Sequence, residues 1–325
     1  MTGTNPKIVV IGGTYVDIVL KCDRIPQAGQ NAAGTGYSYI TAGSGPNQAA
    51  QAAHCGCQAH LLSKIGRDPF YQVVKQSLEE FNINTEFVYT AEAKNTGIIV
   101  TLVNSKGENA SLAYSGANIA LSLDDIKTAE QVISEAEICL VNGELLQETV
   151  IAAIQCAKLH GTKVILSPAR AFRSGIKAMT ESDQIPQEYF NADIMILNLS
   201  EASDIVEQSR TMPARREAAK LTGSDLVARG VEAAVITMGK RGCMVIDRNG
   251  ADHIPAFEVE LVDQGGRGDA FAGALAAYCA VEEDVRGAAK FAAAAGALAC
   301  TKFGLMEAMP TKAEIIELLQ REEIV

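Results

Sequence analysis

Short apolar runs alternate with helical patterns along most of this chain. Lys7–Ile11 is a compact apolar run that stops at Gly12-Gly13, and it predicts a strand. An alanine-rich helix is expected over Pro46–Cys55, stopped at Gly56, then a strand over His60–Ile65 and a helix over Tyr71–Phe81. Further strands are expected at Ile138–Val141, Val164–Leu166, Ile194–Leu197 and Ala234–Thr237, with helices between them such as Thr149–His160, closed by Gly161. Strand and helix in alternation predict an α/β fold: a Rossmann-like, mostly parallel sheet with helices on both faces.

Two regions break the rhythm. Residues 14–42 contain the alternating stretch GTGYSYITA with no helix after it, and residues 97–115 read as a hairpin, GIIVTLV and ENASLAY around Asn104-Ser105-Lys106-Gly107. These strands are expected to pair into a small β-sheet lid outside the main sheet. With no internal repeat, low-complexity linker or charge block, residues 1–325 read as a single domain carrying that lid.

Composition narrows the class. Apolar residues make up 48% and charged residues 21%, as in an ordinary globular protein. The net charge of −11 argues against nucleic acid or an anionic membrane surface as partner. The apolar runs Ala270–Val281 and Phe291–Cys300 fall short of the roughly 20 residues that a membrane span takes. No secretory signal is read at the N-terminus, and eight cysteines without framework spacing suit a reducing cytoplasm. In HCGCQAH, residues 54–60, the C-x-C spacing lacks a partner pair, so buried structural cysteines are expected rather than a metal site.

The candidate chemistry lies at strand-to-helix junctions, where open parallel sheets bind ligands. The first is AGSGPNQAA, residues 42–50, in which Asn47 opens a helix with an amide that both donates and accepts. The second is DQGGRGDAFAG. Gly265, Gly266 and Gly268 permit tight geometry, and the N–H groups of residues 266–269 are placed to cradle an oxyanion or phosphate. Asp269 stands in that cradle, suited to take a hydroxyl proton as a phosphoryl group arrives; a helix-capping role for it is the plainer alternative. Arg267-Gly268-Asp269 spells an adhesion tripeptide, but its flanks read as buried helix rather than displayed loop. The third is NLSE, where Asn198 and Glu201 share a helix face and suit a hydrated Mg²⁺; Ser200 capping the helix accounts for the same residues without a metal. Thr237-Met238-Gly239-Lys240-Arg241-Gly242 gives a further glycine turn, a wall for a nucleotide. Neither a P-loop nor a G-x-G-x-x-G run occurs.

In this order, these clusters resemble the ribokinase-like (PfkB) family of sugar and nucleoside kinases, from Val9 to about Pro310. Residues 42–66 fit that family's first signature, through Asn47, Gly56 and Gly66. The second signature, D-T-x-G-A-G-D, keeps Asp263, Gly266, Gly268 and Asp269, but Gln264 and Arg267 replace its Thr and Ala. The resemblance implies Asp269 as catalytic base, the amides of residues 266–269 as anion hole, Asn198 and Glu201 acting on Mg²⁺ and ATP phosphates, and Thr237, Gly239 and Gly242 as nucleotide wall. It assigns Asp17, Gly43, Asn47 and Glu144 to the acceptor hydroxyls. Tyr15 and Ser44 stand where ribokinases usually carry Asn and Lys, both in the sugar pocket. Relatives bind a monovalent cation, such as K⁺, near Asp263 and the loop after Thr301; Gln264 and Ala308 depart there. Arg267 either adds charge beside the phosphates or points to solvent.

The expected function is an ATP-dependent kinase acting on a primary hydroxyl of a small sugar. The alternatives are a nucleoside kinase, with Tyr15 stacking on a base, and a sugar-binding regulator without turnover. Edges of a small lid sheet need covering, so a homodimer through the lid is expected.

Overall fold

The computed structural model describes residues 5–168, 185–205 and 215–323. Its strands are β1 (Lys7–Ile11), β2 (Tyr15–Cys22), β3 (Gly34–Ala42), β4 (Gln58–Gly66), β5 (Val88–Ala91), β6 (Gly97–Asn104), β7 (Asn109–Tyr114), β8 (Ile138–Asn142), β9 (Lys163–Ser167), β10 (Ile194–Asn198), β11 (Ala233–Thr237), β12 (Cys243–Asp247) and β13 (Gly250–Ile254). Nine of them form one sheet in the order β13-β12-β11-β10-β9-β8-β1-β4-β5. From β5 to β11 every neighbouring pair is parallel, and β12 and β13 continue the edge as an antiparallel ribbon.

Strict alternation along the central strands feeds two cores. Ile8, Val10, Ile138 and Leu140 pack with the helices Ser44–His54, Arg267–Cys279 and Val285–Ala299 on one face. Val9, Ile11, Cys139 and Val141 pack with Gln147–Leu159 on the other. Strands buried on both faces are what helix-covered parallel sheets require.

The chain leaves β1 for β4 on one side and later returns to β8 on the other. This reversal opens a crevice between the carboxyl ends of β1 and β8, the place where such sheets bind ligands. The strands expected to leave the main sheet do so. They form a separate four-stranded sheet, β3-β2-β6-β7, with β2 and β6 parallel and both outer pairs antiparallel. It is rooted at the crevice, because only three residues separate the end of β1 from the start of β2.

Several element ends differ from expectation. The helix placed at Pro46 begins at Ser44, with Gly43 as N-cap at φ 106. Pro46 then occupies the first turn, where its missing N–H costs nothing. The apolar run from Ala270 lies in a helix that begins at Arg267 behind a left-handed Gly266, with Asp269 in its first turn.

Candidate active site

The crevice is lined from the glycine turn after β1. Gly13 N–H donates to Asn142 Oδ1 (3.4 Å), and Glu144 N–H donates to the same oxygen (3.3 Å), so one buried amide ties the ends of β1 and β8 together. Asn118 grips the next residue from the lid side. Its Oδ1 accepts from Thr14 N–H (2.8 Å) and its Nδ2 donates to Thr14 O (2.9 Å). Gly43 comes so close that a Cβ on it would lie 2.5 Å from Gly13 O, and its φ of 106 admits few other residues.

Two carboxylates, Glu144 and Asp269, meet at this crevice, and a third, Asp17, stands on the lid strand that leaves it. Glu144 is buried, its Oε2 accepting from Ser44 N–H (3.0 Å) and its Oε1 from Ser44 Oγ (3.1 Å). Burial first, and the charge of Asp269 second, push its carboxyl up to about 8. Asp269, half-buried in the first turn of its helix, accepts from Asn47 Nδ2 at Oδ2 (2.9 Å) and from Gln48 Nε2 at Oδ1 (3.1 Å). Burial raises its pKa, and hydrogen bonds from Asn47, Gln48 and Ser44 pull it back. Asp17 sits on β2 and accepts from Thr101 Oγ1 (2.9 Å); burial raises its pKa as well.

Asp17 shares a strand face with Tyr15, two residues away or about 7 Å along the strand. Tyr15 is fully buried, packed with Ala42 and Ile99, and its ring lies against Gly13, Gly43 and Gly97. This corrects the expectation that Tyr15 stacks on a base: its ring is enclosed at the hinge where the chain passes from β1 into the lid, against Gly43. Ser44 is likewise not a free hydroxyl, because it donates to Glu144 and lies close enough to Asp269 to lower its pKa.

The start of the Arg267–Cys279 helix carries no side-chain cap, so the amides of Arg267, Gly268 and Asp269 are not taken by one. Asp269 itself is not the cap; it is the third helical residue. Arg267 is exposed and donates through Nη1 to Gln264 Oε1 (2.7 Å). The two residues that depart from the family's second signature thus hold one another. Asp263 Oδ1 accepts from Gly265 N–H (3.0 Å), and the N–H groups of Val262 and Asp263 donate to Cys300 O, which brings the segment at Thr301 alongside.

Asn198 and Thr237 are register partners at the carboxyl ends of β10 and β11, followed by Gly239 and Gly242. Two strand spacings separate β8 from β10, about 10 Å, a distance that a phosphate chain bridges. Asn198 Oδ1 accepts from Glu201 N–H (2.9 Å), and Glu201 accepts at Oε2 from Asn198 N–H (2.8 Å). This reciprocal pair is a capping box, with Asn198 rather than Ser200 as the cap.

No group of three or more His, Cys, Asp or Glu residues suited to a metal occurs among the described residues. Cys55 and Cys57 are buried free thiols, as expected of HCGCQAH. Sequence reasoning missed Gln48, Asn118 and Asn142. Gln48 had a visible signal, a long amide inside an alanine-rich helix.

The family model of the pfkB family carbohydrate kinase matches residues 5–312. The chain belongs to the pfkB family of carbohydrate kinases. It is 32% identical to a mouse ribokinase over 275 residues, 84% of this chain and 81% of that protein. It is 30% identical to a deoxyribokinase of Salmonella typhi, covering 97% of this chain and 99% of the other. Among solved structures, Thermotoga maritima ribokinase aligns with a TM-score of 0.81 at 26% identity, over 97% of this chain and 99% of the other. Arabidopsis thaliana ribokinase complexed with ribose and ATP aligns with a TM-score of 0.84 at 23% identity, over 98% and 99%. As a pfkB carbohydrate kinase of ribokinase type, the protein is a phosphotransferase whose acceptor is a sugar hydroxyl. No described helix is long and apolar enough to cross a membrane.

Proposed function

We propose that the protein transfers the γ-phosphoryl group of ATP to the primary hydroxyl of ribose, 2-deoxyribose or a closely related sugar. The observation that carries this reading is Asp269, held by Asn47 and Gln48 beside an uncapped helix start. Asp269 takes the hydroxyl proton as the new O–P bond forms and the bond to the leaving ADP oxygen breaks. The amides of residues 266–269 receive the charge that develops on the phosphoryl oxygens. Asp17, Glu144 and the Oδ1 of Asn47 face the remaining hydroxyls; that oxygen is buried and has no protein donor among the described residues. The ribokinase and deoxyribokinase relatives support the acceptor class.

ATP lies along the ends of β10 and β11 against Thr237, Gly239 and Gly242. The donor set there suits Mg²⁺ held through water: one carboxylate, Glu201, and one amide, Asn198, both already engaged with backbone. When bound, Mg²⁺ supplies neutralising charge to the phosphates. Asp263 and the adjoining carbonyls are where a monovalent cation would sit, behind the anion hole. The second sheet acts as a lid that excludes water and protects ATP from hydrolysis. Residues 5–323 work as one kinase unit.

A homodimer through the lid is supported by its outer face rather than its edges. Register places Tyr37, Tyr39, Leu112 and Tyr114 on the face shared by Ile18, Leu20, Val100 and Leu102. Tyr37 is 73% exposed and Leu112 76%. A contiguous apolar face of this kind marks an interaction surface. Eight free cysteines accord with a cytoplasmic location.

The test is ADP release with ribose, 2-deoxyribose, fructose, adenosine and other nucleosides. Turnover with a pentose is expected. Turnover confined to nucleosides, or sugar binding without ADP, would overturn the assignment.

A further inference from the structure

Gln48 stands out because it is buried without an evident structural return. It is 1% exposed, flanked by the buried Ala49, Ala50 and Ala52, and its Oε1 meets no protein donor among the described residues. A half-satisfied buried amide costs stability. Among the described residues, its side chain donates to Asp269 Oδ1 alone.

The reach is unusual. Neighbouring helix residues project about 100° apart, so Asn47 and Gln48 would not ordinarily meet the same group. The extra methylene of Gln48 and the close packing of two helices make it possible. At Gly273, four residues after Asp269, a Cβ would lie 2.5 Å from Gln48 O and 2.7 Å from Gln51 Cβ. The amide orientation is also determined, since turning it over would set its oxygen against a carboxylate oxygen.

We propose that Gln48 is a positioning residue for the catalytic base: its amide, opposite that of Asn47, locks the plane of the Asp269 carboxylate and sets its basicity without touching substrate. With one lone pair of each oxygen occupied, the carboxylate keeps a single orientation and offers a remaining lone pair to the acceptor hydroxyl. This rests on the reading of Asp269 as base. Ser44, Asn47 and Gln48 face Asp269 from their helix, and Glu144 is the ionisable group facing it from beyond β8. Arg267, on Asp269's own helix, turns to Gln264, and Asp17 lies on the lid bonded to Thr101. A donor to the ionised form lowers a carboxyl's pKa, so its loss raises it.

The experiment compares Gln48→Met, Gln48→Leu and Asp269→Asn, using ATP with ribose or 2-deoxyribose, whichever turns over. Gln48→Met should lower kcat about 10- to 100-fold, the worth of one hydrogen bond to a charged group, with KM for ATP within about threefold. The acidic limb of its kcat–pH profile should move to higher pH. Should Gln48→Met not fold, the similarly sized Gln48→Leu is titrated by ¹³C NMR of the Asp269 carboxyl, and its midpoint should rise because a donor is lost and no charge is added. Wild-type kcat and limb in Gln48→Met, reduced kcat without a limb shift, or an unmoved midpoint in Gln48→Leu would overturn the inference and leave the base intact. Near-normal turnover in Asp269→Asn would overturn the underlying reading instead.

Discussion

Replacing Glu144 by Gln should remove part of the loss of stability that the free protein suffers as pH rises through neutrality. The Glu144 carboxyl ionises near 4.5 when solvated and at about 8 in the fold. Between those values the folded state holds a proton that the unfolded state has released, so unfolding free energy falls with rising pH. Its contribution is fully present below about 4.5 and gone above about 8. One proton corresponds to about 1.4 kcal/mol per pH unit, so from pH 5 to pH 7 Glu144 takes away up to about 3 kcal/mol. Its repulsion with Asp269 is mutual, so the variant also eases ionisation of Asp269, in the same direction. Gln fits the site: its oxygen can accept from Ser44 N–H while its amide donates to Ser44 Oγ, reproducing both contacts of Glu144. The chain has no tryptophan, so urea unfolding at several pH values is best followed by far-UV circular dichroism. The variant's stability should decline less steeply than the wild type's across this window. Parallel profiles would show that Glu144 is ionised throughout and that burial does not govern it.

Gly43→Ala should cost about 1–3 kcal/mol from backbone strain alone and raise KM for the sugar, since the added Cβ would press on Gly13 O; thermal melting and acceptor kinetics check both. Leu112→Asp should turn a dimer into a monomer in sedimentation velocity without unfolding it, because the side chain is exposed in the single chain; an unchanged dimer would place the interface elsewhere. Tyr15→Ala should destabilise the protein by about 3–5 kcal/mol, as expected for a fully buried aromatic, rather than act selectively on nucleosides; a selective effect on nucleoside binding would contradict its place under the hinge.

Much of the fold was legible because each central strand is a short apolar run ended by glycine or a polar turn. The lid was legible for the opposite reason: polar-apolar alternation in GTGYSYITA and a hairpin signal around Asn104–Gly107, in place of continuous apolar runs. The β12–β13 ribbon was not anticipated, although Asn249-Gly250 is a strong hairpin signal between the two strands. The helix start at Ser44 was misplaced because Gly43, which looks like loop, caps that helix. At the site, Asp269 and Asn47 were singled out by their glycine-rich settings, and Glu144 by the family resemblance alone. The enclosure of Tyr15 was not legible because its neighbours in sequence say nothing of the three glycines that close over its ring. Gln48 was missed because its partner lies 221 residues away.

The most direct test of the central claim is single-turnover phosphoryl transfer by Asp269→Asn, with ATP affinity measured on the same protein. Transfer slowed by about 10³-fold or more with ATP binding nearly unchanged is the result expected when a base is removed from an intact phosphate site. Near-normal transfer would mean that another group accepts the hydroxyl proton.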